Sequence, residues 1–284
     1  MDKPLRIMCG RSGMLGDTLA ALTIPNYFRK IYPDAHLIWP IGKRFSQAAP
    51  IYINQGVINE IFIFDGEEKP ESKRDWDIVK SCGIIINPTP EHFDDIYPSQ
   101  RTIYKESFLM GGLSEIQWES LSREEQRPKL NKWWKDEPKL KKTIAYWPQA
   151  GYGVENKRNA SLQWRQELVF ELKSLGYKIF QFGSEKDDDL MDGYIQRFSY
   201  LSFFEQVKLS LKCELVIGTD SGSQLILGAY GIPQISLLTN HWREDQDPHS
   251  LEVDNLNNFS FWAKGRADNI SVDSVVTKIK DILK

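Results

Sequence analysis

Cysteine is scarce in this 284-residue chain: Cys9, Cys82 and Cys213 lie far apart, with no CxxC or Cys-His spacing. A scattered odd set argues against a disulfide framework and reads as reduced core thiol in a cytosolic protein. Histidine is nearly as scarce. His36, His92, His241 and His249 form no HExxH pair, so no metal site is visible. An excess of either charge is also lacking: 36 Lys+Arg stand against 39 Asp+Glu, a net charge of −3. Nothing in that balance draws the chain to nucleic acid or to an anionic bilayer. No apolar run is long enough to span a membrane and no signal-peptide pattern opens the sequence. Repeats at solenoid periods and low-complexity tracts are missing too. The expectation is a cytoplasmic protein without a nucleic-acid partner, with peripheral contact at the inner face of a membrane left open.

What the chain does have is ordinary globular composition, 41% hydrophobic and 26% charged, and a length that suits two modest domains. Short apolar runs alternate with amphipathic stretches, the pattern of α/β proteins with parallel sheets. In the first half the expected strands are Leu5–Gly10, His36–Pro40, Ile61–Asp65 and Ile84–Pro88, with helices over Asp17–Ile31 and Thr102–Gly112. A charged stretch with two prolines, Ser122–Lys142, reads as a linker. A second series follows, with strands at Thr143–Trp147, Tyr177–Phe182, Glu214–Gly218 and Gln234–Leu238. Its helices are Trp164–Leu175, Phe203–Leu211, Gln224–Tyr230 and Val272–Leu283. The expected domains are two Rossmann-like halves, 1–140 and 141–284, with the closing helix able to pack back on the first. Several of the nine tryptophans (Trp133, Trp134, Trp147, Trp164, Trp242) sit in polar company, which fits burial at a domain edge better than a carbohydrate surface.

Three glycines, Gly10, Gly13 and Gly16, stand at three-residue spacing between the first strand and helix, and Asp17 follows them. A dinucleotide fingerprint needs its first two glycines two apart and an acid at the end of the second strand, and here that strand ends HLIWP. A carboxylate also repels phosphate. Asp17 therefore suits either a helix-end charge or a general base acting on a hydroxyl.

The stronger anion signal is LVIGTDSGSQLILGAYGIP, in which a buried strand ends at Thr219-Asp220-Ser221-Gly222 and a helix starts at once. Successive N–H groups of Ser221, Gly222 and Ser223, with the helix dipole behind them, can hold a diphosphate without a metal. The alternative is a tight turn capped by Asp220. A nucleophile elbow is excluded because Thr219 stands where glycine is required. Asp245 or Asp247 with His249 still follows Ser221 in hydrolase order, which keeps that remote alternative open. Lys157 and Arg158, just before a helix, can neutralise a diphosphate leaving group or be plain surface charge. Glu185, after the strand that runs into Gly183, is placed to bond ribose hydroxyls, while Asp187–Asp189 reads as a solvated run.

In their order, SGMLGDTLAALTIP, YPDAHLIWP, RNASLQWRQELVFELKSLGYKIFQFGS and CELVIGTDSGSQLILGAYGIPQISLL resemble glycosyltransferase family 9, the heptosyltransferase-like enzymes. The resemblance implies a GT-B fold, two Rossmann-like domains facing across a cleft with the donor held mainly by the second. It also implies inverting, metal-independent transfer from a nucleotide-diphosphate sugar, such as ADP-heptose, to a glycan or glycolipid hydroxyl, with no further cofactor. On the family's motifs Gly16-Asp17 supplies the base, with Gly13 in the same acceptor-side loop. Asp220-Ser221-Gly222, followed by Ser223 and Gln224, supplies the donor-phosphate turn. The chain departs from the pattern at Leu162, where the family carries lysine, and at Leu225, near which it carries histidine. Those departures keep two alternatives open: a non-catalytic nucleotide- or sugar-binding protein, and a nucleotide-sugar epimerase.

Overall fold

In the computed structural model Pro25 decides the first helical region. The run expected as one helix over Asp17–Ile31 is two, α1 (Leu15–Ala20) and α2 (Thr23–Ile31). A proline has no N–H for the carbonyl four residues back and its ring collides with that carbonyl, so the helix restarts with Pro25 in its first turn. The structure describes residues 4–10, 15–53, 56–67, 69–86, 103–128, 130, 137–150, 158–185, 187, 195–239 and 257–284. The chain divides into two units, Met1–Asn131 and Lys132–Lys284.

The first unit holds a four-stranded sheet of β1 (Arg6–Cys9), β2 (His36–Ile41), β3 (Glu60–Ile63) and β4 (Ile84–Ile86), in the order β3-β2-β1-β4. All neighbours are parallel. Parallel strands need cover on both faces and so carry continuous apolar runs, as Leu37-Ile38-Trp39 does in β2. Met8, Ile38, Phe64 and Val79 form one packed cluster of this unit. Three helices beyond those expected complete it: α3 (Ala49–Ile53), α4 (Lys73–Lys80) and, after α5 (Ile103–Met110), α6 (Glu115–Glu119). The start of the supposed linker is docked rather than free. Asn26 Nδ2 donates to the carbonyls of Glu125 and Arg127 at 2.9 Å each, and Leu121 and Leu130 are buried.

The cap of α4 is a charged one. Ser72 and Asp75 form a capping box, and the buried Asp75 carboxylate also accepts from the N–H groups of Asp65 and Glu71, at 3.1 Å each. Burial alone would raise its pKa, but the backbone donors from Glu71, Asp65, Ser72 and Gly66 outweigh it and hold the carboxyl below its usual value. A depressed carboxyl stabilises the fold above the unfolded value of about 3.9 and loses that contribution as pH falls through the folded one. Asp75→Asn is therefore less stable than the parent at neutral pH in urea titrations, and the gap closes in acid.

The second unit has six parallel strands: β5 (Leu140–Trp147), β6 (Lys178–Gln181), β7 (Ile195–Arg197), β8 (Cys213–Thr219), β9 (Gln234–Thr239) and β10 (Asn258–Ala263). Their order is β10-β9-β8-β5-β6-β7. The unit begins ahead of residue 140 because its approach is already bonded to it. Glu137 pairs with Lys212, and Lys139 Nζ donates to the Leu211 carbonyl at 2.6 Å. Helices α7 (Leu162–Ser174) and α10 (Val272–Ile282) cover one face, where Ile144, Tyr146, Leu168, Val169, Ile217, Val275 and Ile279 share a core. The closing helix thus buries its apolar stripe in the second unit itself. On the other face, near α8 (Phe203–Lys212), the rings of Trp147, Phe182 and Phe198 stack in series at 5.3 and 5.6 Å. Trp147 and Trp164 are core residues whose indole N–H groups meet Ser210 Oγ and the Ile270 carbonyl.

Both sheets reverse their winding once. After β1 the chain moves to β2 and β3 on one side and returns to β4 on the other. After β5 it moves to β6 and β7, then returns to β8, β9 and β10. In open parallel sheets ligands bind beyond the carboxyl ends of the strands at such a switch point. The candidate positions are the loops after β1 and β4 in the first unit, and those after β5 and β8 in the second.

Candidate functional site

Within the first unit, the Gly10 N–H donates to the Ile86 carbonyl at 3.0 Å, joining the ends of the two switch strands. The glycine loop that leaves this point contains Gly13, which lies outside the described residues. Gly16 and Asp17 are the second and third residues of α1. Asp17 is thus in the first helical turn and not the residue that precedes it; its side chain lies outside the described set, as does Lys157.

The second unit places β8, the turn and α9 (Gly222–Tyr230) as the sequence suggests. The cap is Ser221 and not Asp220. Ser221 is extended (φ −155°, ψ 165°) and its Oγ accepts from the Gln224 N–H at 3.4 Å. Ser221 Oγ also lies 2.8 Å from Ser223 Oγ, so two hydroxyls sit together over the first turn. The orphan N–H groups of that turn and the positive helix end favour an anion. Arg158 reaches the same turn from the β5–α7 connection, its Nη1 donating to the Asp220 carbonyl at 3.4 Å. The two loops of the switch point therefore meet, and a guanidinium stands beside the helix end.

The approach of Arg158 is held from below. Asn159 is buried and its Oδ1 accepts from the Ala150 N–H at 2.7 Å. Asp268 accepts from the Ser161 N–H at 2.5 Å and from Arg266 Nε at 2.9 Å. Burial pushes the Asp268 carboxyl up, but these partners outweigh it and the net displacement is downward. Ser161 in turn caps α7 through Trp164 N–H.

Gln224 has a different place from the one expected. It is 1% exposed, and its Nε2 donates to the Ile235 carbonyl at 3.1 Å and to Ser236 Oγ at 2.9 Å. Its amide braces α9 on β9. The brace explains Gly218: a Cβ there would overlap Gln224 Oε1 and stand 3.4 Å from Trp147 Cβ. Gly218→Ala should lose about 1–3 kcal/mol in denaturant titration, because Gln224 must give up buried hydrogen bonds to make room. Adding Gln224→Ala should recover part of that loss, a coupling that a double-mutant cycle reads directly.

Gly183 turns the chain out of β6 at φ +136°, and a Cβ there would collide with the Asp187 carboxylate. Asp187 is not plain solvated charge. Its Oδ2 and Oδ1 accept from Ser184 N–H and Ser184 Oγ at 2.9 and 2.8 Å. Gln206, on α8, accepts from the Gly183 N–H and donates to its carbonyl, at 2.9 and 3.1 Å. Arg197 Nη2 donates to the carbonyls of Glu185 and Asp187. This fixed turn leaves Glu185 exposed at the carboxyl edge of the sheet, one strand from the switch point. Sequence reading missed Gln206 and Arg197, whose partners sit 23 and about 10 residues away and leave no local pattern.

Of the two departures from the family pattern, Leu162 is 39% exposed at the start of α7 and Leu225 is 6% exposed inside α9. Neither offers a donor. Among the described residues, no group of three or more His, Cys, Asp or Glu could hold a metal ion, and no helix is long and apolar enough to cross a membrane.

No protein-family model matches the sequence, and no curated protein matches it. Solved structures do match. ADP-heptose LPS heptosyltransferase II of E. coli superposes with a TM-score of 0.71 at 13% identity, covering 99% of this chain and 98% of that one. A glycosyl transferase of family 9 from Veillonella parvula DSM 2008 gives 0.70 at 14% identity, over 100% and 98%. The E. coli heptosyltransferase WaaC with ADP-2-deoxy-2-fluoro heptose gives 0.66 at 12% identity, over 98% and 99%. The fold is thus of the GT-B class, built of two Rossmann-like domains. Within that class the chain is similar in fold to heptosyltransferases and to a family 9 glycosyltransferase, end to end, as the order of its motifs implies.

Proposed function

We propose that the protein transfers a glycosyl group from a nucleotide-diphosphate sugar to a hydroxyl of a glycan or glycolipid acceptor. The observation that carries this reading is the meeting of Arg158 with the Asp220-Ser221 turn at the start of α9. A cation, two neighbouring hydroxyls and a helix N-terminus at a switch point form a cradle for a diphosphate. Glu185, on its fixed turn, is the ribose-binding group in this reading. Lys157 adds charge near Arg158, and Gly222 and Ser223 contribute backbone N–H groups. One structural neighbour, E. coli WaaC, is solved with ADP and with ADP-2-deoxy-2-fluoro heptose, which supports ADP-heptose as a donor to test.

Asp17, with Gly16 before it in α1 and Gly13 in the preceding stretch, serves as base on the acceptor side. It takes the proton of the acceptor hydroxyl as the oxygen attacks the anomeric carbon opposite the leaving group, which inverts that centre. Negative charge grows on the departing diphosphate, and Arg158 with the Ser221–Ser223 turn opposes it without a metal. A panel of nucleotides and nucleotide sugars, read by thermal shift, tests the donor half. Stabilisation by one nucleoside diphosphate and its sugar conjugates is expected, and no stabilisation by any would remove the reading.

Leucines at 162 and 225 favour a second reading, a nucleotide- or sugar-binding protein without turnover, since each stands where the family places a polar group. Donor binding without release of nucleoside diphosphate would select it.

A further inference from the structure

Helix α7 turns Trp164, Arg165, Leu168, Val169 and Leu172 inward, an otherwise apolar stripe that contains one arginine. Arg165 is 1% exposed, and its Nε donates to the Ser161 carbonyl at 3.3 Å. A guanidinium buried in the first turn of a helix lies at the positive end of the dipole, where an anion is favoured and a cation is not. The neighbouring strands add two hydroxyls to the same face. Tyr146 on β5 pairs in register with Ile217 on β8, and Thr219 is two residues further along β8, so their side chains share the α7 side of the sheet. Both side chains are shut off from solvent, and among the described residues neither Tyr146 Oη nor Thr219 Oγ1 has a hydrogen-bond partner. Buried hydroxyls without partners are costly, about 1–3 kcal/mol each. Thr219 is the residue before Asp220, so its hydroxyl lies under the turn that starts α9. Burial raises the Tyr146 phenol well above its usual value, and the charge of Arg165, on the helix packed over this face, opposes that rise.

We propose that Tyr146, Thr219 and Arg165 form an inner set of donors for the diphosphate of the bound nucleotide, beneath the outer set at Arg158 and Ser221. The proposal rests on the donor reading above and adds to it three residues from the buried side of the switch point. An oxyanion entering between Arg158 and the Ser221 turn meets the Thr219 hydroxyl first and the Tyr146–Arg165 pair behind it. The missing lysine at Leu162 is then replaced from within α7, one helical turn further on, by a cation the sequence pattern hides in a core stripe.

Tyr146→Phe and Thr219→Val each remove one hydroxyl and keep the shape of the side chain, so both are expected to fold with an unchanged or higher Tm. Inorganic pyrophosphate and ADP, titrated calorimetrically into the whole chain, are the probes. Loss of a hydrogen bond to a charged group is worth roughly tenfold or more in affinity, so each variant should bind pyrophosphate at least about that much more weakly than the parent. ADP should weaken in parallel, because the contact is to the diphosphate and not to the base. Equal pyrophosphate affinity in parent and variants overturns the inner set while leaving the donor reading intact, and shows that the two hydroxyls serve a buried water. A parent chain that binds neither pyrophosphate nor any nucleoside diphosphate overturns both.

Discussion

Asp17→Asn is expected to lower turnover by about 10²- to 10⁴-fold, the usual contribution of a positioned base, while donor affinity stays within a small factor of the parent. The asparagine keeps the shape of the side chain and an acceptor oxygen but cannot take a proton. Asp17 lies in the first turn of α1, a position at which the helix dipole in general favours an acid. That second role is worth only about 0.3–1 kcal/mol and touches stability, not turnover. The two roles separate in one pair of measurements. Equal turnover with a slightly lower Tm would make Asp17 a helix-end charge and nothing more.

The second large effect falls on Arg158. Arg158→Gln removes the cation that reaches the Asp220 carbonyl and stands beside the α9 turn. Charge on the leaving diphosphate grows toward the transition state, so a group opposing it should act on kcat more than on KM. Loss of one such donor costs about 10²- to 10³-fold in kcat. Arg158→Lys should recover part of the rate, since it restores charge without the planar fork. A variant that changes KM alone would mean that Arg158 binds the donor equally in ground and transition states.

The fold was legible where strand runs were long and unbroken. Leu37-Ile38-Trp39 and Leu215-Val216-Ile217 announce buried parallel strands by composition, and the second helix–strand series lies close to its expected limits. Short or mixed elements were not. β7 is three residues long, and β10, Asn258–Ala263, alternates polar and aromatic residues at an edge. Pro25 was a readable break in the first helix that apolar spacing outweighed. In the site, the turn at Ser221 was legible because glycine, serine and a following helix are local features. The meeting of Arg158 with Asp220 across 62 residues, and the brace of Gln224 on Ser236, are tertiary facts. Gln224 follows the turn in sequence, and the first turn of α9 points its amide into the sheet. Arg165 shows the opposite case, a charged residue in a core stripe that the periodicity itself could have flagged.

In the proposed reaction a nucleotide-diphosphate sugar is cleaved at its anomeric carbon on this fold, with the diphosphate as leaving group. The direct measurement is release of nucleoside diphosphate from a panel of nucleotide sugars, with and without glycan acceptors, in the parent chain and in Asp17→Asn. The expected result is release from one donor, accelerated by an acceptor and reduced about a hundredfold or more in the variant. Donor binding with no release from any nucleotide sugar, under conditions where the chain is folded, would contradict it.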